Sequence, residues 1–183
     1  MGEKGTSQVT FELVVRKDGA AVLTQPLSYN AAASIISDAR DSADNAELFR
    51  LAAEHPATDV RENVAYKENL DDGTVEMLAA DSCPSVIRSL VSRSAFKRWV
   101  PQSRLIEIIK SDPDAAESVA GSVSEYENVD GNALAKFLAG MPDPQIRCTL
   151  AGNYSCPKTI AKMLLSDPDP AVRAAAEERI SNG

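Results

Sequence analysis

Histidine occurs once in these 183 residues, aromatic side chains make up 5%, and cysteines number three. Each scarcity removes a class of function. With His55 alone, neither a Ser-His-Asp nor a Cys-His catalytic system has further support. His55 stands in AEHPATD, a proline turn, and is expected to be a solvated turn residue. No glycine-rich loop of the P-loop or dinucleotide pattern occurs. Cys83, Cys148 and Cys156 are odd in number and spaced unlike any zinc motif, so they read as small buried, reduced thiols. No run of 18 apolar residues exists to span a bilayer. The opening MGEKGTSQ lacks the apolar stretch of a secretion signal, and a cytoplasmic location is expected. Gly2 and Thr6 fit part of a myristoylation pattern, but no second anchoring signal accompanies them. Basic charge is also short. Against 27 acidic residues stand 19 Lys and Arg, giving a net charge of -8. A field of that sign repels polyphosphate, so generic nucleic-acid and anionic-membrane binding are disfavoured.

What remains is abundant alanine, an apolar fraction of 44%, and a phrase written more than once. SDPDPAVRAAAEE stands near the end of the sequence, and GMPDPQIRCTLAG stands 26 residues earlier in the same frame. Arg173 follows Pro168 and Pro170; Arg147 follows Pro142 and Pro144 at the same offsets. Arg61 follows Pro56, and Arg88 follows Pro84. A weaker copy, SDPDAAESVAG, puts Glu117 in the arginine slot. The anchors 61, 88, 117, 147 and 173 are separated by steps of 27, 29, 30 and 26 residues. Self-similarity at such a period marks a solenoid. Before each proline phrase lies an apolar block with helical spacing: AELFRLAA, TVEMLAA, RLIEIIK, ALAKFLA and TIAKMLL. Small apolar residues recur after each anchor. A repeat is therefore helix, proline turn, helix, link.

The turn chemistry supports this. Pro168 and Pro170 stop the helix that ends near Leu165. Asp167 and Asp169 can accept orphan N–H groups of the next helix, and Pro170 suits its first position. Arg173 is expected to bridge capping carboxylates of its own or the next repeat, with Arg61 to Asp59 and Arg147 to Asp143 as parallel pairs. The carboxylate pairs Asp112/Asp114 and Asp167/Asp169 follow the repeat frame, so they read as caps and not as a glycosidase pair.

The pattern D-P-[DP]-x-x-V-R followed by small apolar residues resembles HEAT-type repeats. Its short period and the phrase LLSDPDPAVRAAA are most similar to the leucine-rich repeat variant, over roughly positions 44 to 183. That resemblance implies a right-handed α-solenoid of about five short repeats, an adaptor role and a bacterial origin. Known variant-repeat proteins can carry an N-terminal iron–sulfur cluster on cysteines. No cysteine precedes Cys83 here, so no cofactor is carried over.

The first 45 residues differ. VTFELVVRKDGAAVLTQ reads as two strands around Lys17-Asp18-Gly19, closed by Pro26, and SYNAAASIISDAR as a helix capped by Ser28 or Asn30. The organisation expected is thus 1–45 as hairpin and helix cap, and 46–183 as repeats. The hairpin either covers the first repeat or offers an edge to a strand from a partner or a second copy.

Charge order singles out one stretch. Between Ser82 and Ile106 no acidic residue occurs, and SRSAFKRWVPQSR combines Arg93, Lys97, Arg98, Trp99 and Arg104. From Ser111 to Ala135 there is no Lys or Arg. Three readings compete. The basic and acidic repeats attract each other, with Trp99 filling the core between them. Alternatively, Arg93, Lys97, Arg98, Trp99 and Arg104 contact a protein partner, since Trp and Arg combine apolar area with directed hydrogen bonds. The third reading is a helical-repeat DNA-binding or base-excision protein, which the acidic neighbour opposes. The sequence favours a non-catalytic protein-binding scaffold of unspecified partner and oligomeric state.

Overall fold

The computed structural model describes residues 9–182. Gly2 and Thr6, weighed for lipidation, lie outside the described residues. Among those residues the chain forms a two-stranded antiparallel sheet followed by twelve α-helices, and it divides after Ala95 into two compact units. None of these helices is long and apolar enough to cross a membrane.

The first unit opens with β1 (Glu12–Lys17) and β2 (Ala20–Pro26). Asp18 and Gly19 join them with φ of 53° and 83°. Two consecutive left-handed residues make the tight turn whose twist matches a hairpin, and Asp-Gly is a favoured pair for it. Every strand residue is exposed. Ser28 caps α1 (Tyr29–Asp38) by accepting the Ala31 N–H. Then come α2 (Ala46–Ala52), α3 (Thr58–Ala65), α4 (Asp72–Ala79) and α5 (Pro84–Val91). Helix α3 lies between α1 and α5, while α2 and α4 pack on each other and on their following helices. Ala32, Ala33 and Ile36 of α1 are buried, as are Val60, Val64 and Ala65 of α3 and Val86, Leu90 and Val91 of α5.

A short helix, α6 (Ser94–Trp99), begins at the boundary. The second unit then runs through α7 (Gln102–Ser111), α8 (Pro113–Gly121), α9 (Gly131–Ala139), α10 (Pro144–Gly152), α11 (Lys158–Leu164) and α12 (Pro170–Ser181). Here α10 lies between α8 and α12, and each packs on the helix preceding it in the chain. Every apolar block of the repeat is a helix, and so is every segment after a proline phrase. Helix α6 was not expected.

The caps follow the repeat frame. Asp71, Asp112, Asp130, Asp143 and Asp169 each accept a backbone N–H in the first turn of the helix they precede. Pro84, Pro113, Pro144 and Pro170 open their helices, where a missing N–H costs nothing.

Three expectations need correction. Arg61 and Arg147 do not pair with Asp59 and Asp143. Arg61 grips Asp81 through Nε and an amino group at 2.6 and 3.1 Å, and Arg147 grips Asp167 at 2.8 and 2.9 Å. The carboxylate lies 20 residues on, at the next proline turn, so the arginine joins successive repeats. Its remaining nitrogen donates to the two carbonyls six and five residues back. These are His55 and Pro56 for Arg61, Met141 and Pro142 for Arg147, and Asp167 and Pro168 for Arg173. Asp167 is accordingly not a helix cap; Asp169 alone caps α12.

The second correction is His55, which is 2% exposed and not solvated. Its Nδ1 accepts the Ala57 N–H, as Asp81 accepts the N–H of Cys83 and Asp167 that of Asp169. The imidazole thus occupies the turn position that aspartate fills in other copies. Phe11 and Tyr29 pack on its ring, with centroids 5.7 and 5.3 Å away. The third concerns the cysteines: only Cys156 is buried, while Cys83 and Cys148 are half-buried.

Candidate partner-binding surface

The basic aromatic segment is built on α6 and its neighbours. Phe96 is fully buried and anchors the helix. Trp99 lies one turn on, 6.2 Å from Phe96 between ring centroids, and is half-buried. Trp99 is thus not a fully buried core residue. Arg98, between them, is exposed.

The acidic segment lies against the C-terminal end of α6. Lys97 reaches Glu125 at 2.7 Å, and its carbonyl accepts the Glu127 N–H. The Arg98 carbonyl accepts from the Asn128 side chain, and the Gln102 side-chain oxygen accepts the Asp130 N–H. Last-turn carbonyls have no partner within their own helix, so the bonds to the Lys97 and Arg98 carbonyls satisfy groups that water would otherwise hold. The acidic segment is itself fixed from below by Val123 and Tyr126, both buried. Burial pushes the Tyr126 hydroxyl up to about 12, against the opposing hydrogen bond with Ser122.

The five residues singled out by charge order have different surroundings. Arg93 belongs to the first unit, where it lies over the Tyr66 ring and reaches Glu68 at 3.4 Å. Glu68 also accepts the Ser94 N–H. Lys97, Arg98 and Trp99 share α6. Arg104, on α7, pairs with Glu107 one turn along at 2.9 Å. The structure thus groups Lys97, Arg98 and Trp99, and gives Arg93, Lys97 and Arg104 a carboxylate each.

A second polar surface, not singled out from the sequence, lies along the second helices of the first unit. Glu62, Tyr66, Ser85, Arg88, Ser89 and Ser92 line an open cleft of about 380 Å³ between α3 and α5. Glu62 accepts from the Ser85 and Ser89 hydroxyls across it. In the second unit Glu117 takes the corresponding role, accepting from Gln145 and Thr149 of α10. The residue that breaks the arginine frame therefore still joins neighbouring helices. A signal was present in the sequence, namely polar residues at one-turn spacing after each proline phrase, but nothing in it names their partners.

Among the described residues, no three His, Cys, Asp or Glu side chains are grouped so as to hold a metal ion. Compared with family models, with curated proteins and with solved structures, the chain matches none.

Proposed function

We propose that this chain is a non-catalytic protein-binding scaffold, a right-handed α-solenoid of about five HEAT-like repeats closest to the leucine-rich repeat variant type. Packing within each unit supports the repeat reading: second helices touch second helices, α1 to α3 to α5 and α8 to α10 to α12. A solenoid of this kind displays side chains from several repeats on fixed helices, so little ordering entropy is lost on binding. The location proposed is cytoplasmic, with no cofactor.

The observation that carries the binding reading is α6. Phe96 holds it in the core, its carbonyls are tied down at Lys97 and Arg98, and Arg98 and Trp99 remain at the surface. Those two residue types dominate interface energetics when a partner desolvates them. Arg98 and Trp99 are the leading contacts, with Lys97 beside them; Arg93 and Arg104 play a supporting part. The DNA alternative has less support, because Arg93, Lys97 and Arg104 already face carboxylates within 3.4 Å.

The test is affinity capture from the source cell's lysate. Wild type is compared with an Arg98→Glu, Trp99→Ala variant whose helical circular dichroism is unchanged. A protein held by wild type and lost from the variant is the expected result. Equal retention by both baits moves the site off α6. Capture of nothing, together with salt-sensitive binding to duplex DNA, removes the scaffold reading.

A further inference from the structure

Five exposed large apolar side chains of the first unit, Leu13, Val14, Val15, Val22 and Leu23, are gathered on the hairpin. Leu13, Val15 and Leu23 are 49%, 41% and 48% exposed, and every other residue of both strands is exposed as well. A two-stranded ribbon is marginal in water by itself, and its two outer edges are not equivalent. The Leu27 N–H donates to the Phe11 carbonyl, so Phe11 and Leu27 bond directly across the ladder. Such pairs alternate along an antiparallel ladder. With Leu13 opposite Gln25 and Val15 opposite Leu23, these residues turn their backbone groups inward. Glu12, Val14 and Arg16 therefore turn theirs outward. On β2 the outward positions are blunted: Pro26 has no N–H, and the register breaks at the extra residue Val22. Of these two edges, as far as the described residues go, the β1 edge offers the uninterrupted row of donors and acceptors.

That edge is complementary to itself. We propose that β1 pairs antiparallel with β1 of a second copy of the chain, about a two-fold axis through Val14, to form a four-stranded sheet. In this register Val14 meets its own copy, and Glu12 meets Arg16 of the second copy. The outward-pointing residues 12, 14 and 16 then face outward-pointing residues, so the hydrogen-bond ladder closes along its whole length. Opposite charges stand directly across from each other twice, once on each side of the axis. On the other face Leu13 falls beside Val15 of the second copy. The exposed Leu13, Val15 and Leu23 side chains of both copies join into one apolar strip. A shift of one residue would break both the charge match and the ladder, so the register is specified. A generic partner strand has no reason to carry this charge order, which is why a second copy is the occupant.

The experiment is sedimentation velocity of the full chain over a concentration series. It uses wild type, Glu12→Arg, Arg16→Glu and an equimolar mixture of the two variants. Because the hairpin side chains are exposed, the variants keep the helical circular dichroism of wild type. Wild type is expected to dimerise. Each variant alone should bind itself about tenfold more weakly, since like charges then face each other at both positions. The mixture should regain dimer, because the two variants complement each other. A second pair of variants tests the edge: Val14→Pro removes the central outward N–H and abolishes the dimer, whereas Thr24→Pro on the β2 edge leaves it intact. A wild type that stays monomeric throughout overturns the proposal. So does a dimer that survives Val14→Pro, or a mixture that behaves like its components.

Discussion

Arg147 and Arg98 carry the same charge and differ in everything that decides stability. Arg147 and its partner Asp167 are both buried, and the guanidinium donates to a carboxylate and two carbonyls. Removing it strands a buried carboxylate, which costs about 3 kcal/mol. Arg98 is exposed, and its loss should stay within about 0.5 kcal/mol. Urea denaturation of Arg147→Ala and Arg98→Ala checks the difference; equal, negligible losses would remove the arginine bridge from the account. His55 supplies a pH signature. Burial pushes its pKa below the ordinary value, and the Arg61 charge adds to that against the opposing Ala57 contact. Its folded pKa being depressed, its contribution is intact above the unfolded value of 6.5 and is lost as pH falls through the folded one. Melting temperature should therefore drop between neutral pH and pH ~5, before carboxylates titrate. His55→Asn keeps a turn acceptor and should flatten that drop.

At the scale of elements, the caps give the most direct test of the repeat frame. Asp169 accepts the N–H groups of Ala171 and Val172 at the start of α12, so Asp169→Ala should cost about 1 kcal/mol by thermal denaturation. Asp169→Asn should lose much less. These elements were legible because their signals are local. Asp18-Gly19 supplies two left-handed residues, and Asp-Pro phrases stop one helix and cap the next. Helix α6 was missed because six residues carry too little of a 3.6 period to register. The partners of Arg61 and Arg147 were missed for a different reason. A carboxylate 20 residues away is adjacent only after two helices have folded back. His55 looked like a solvated turn residue because it stands in a proline turn. The rings that pack on it, Phe11 and Tyr29, flank the hairpin in sequence and are distant from His55 in the chain. The basic segment was visible as charge order, but Glu68 and Glu125, which engage Arg93 and Lys97, are distant in sequence. Its division into Arg98 and Trp99 on one side and carboxylate-paired residues on the other is a tertiary property.

At the scale of the molecule, the two arginine bridges belong one to each compact unit. In Asp81, burial raises the carboxyl pKa, but the hydrogen bonds from Arg61 and the Cys83 N–H outweigh it. In Asp167 the Arg147 hydrogen bond dominates over burial, and the pKa again ends below the ordinary value of 3.8. Both folded values being depressed, the stability these groups confer is present above the unfolded pKa and is lost as pH falls through the folded one. Acid therefore protonates a bridging carboxylate in each unit only after the net negative charge has gone, near pH 4.7, and both units should lose structure together in acid titration. Mutation separates what acid combines. Amide hydrogen exchange at neutral pH should show Arg61→Ala releasing protection in α2 to α5, with α8 to α12 at wild-type levels. Arg147→Ala should do the reverse, because the contacts of each bridge stay within its own unit. If either substitution raised exchange evenly through all twelve helices, the chain would unfold as one cooperative body, and the arginines would set its global stability, not that of their neighbouring repeats.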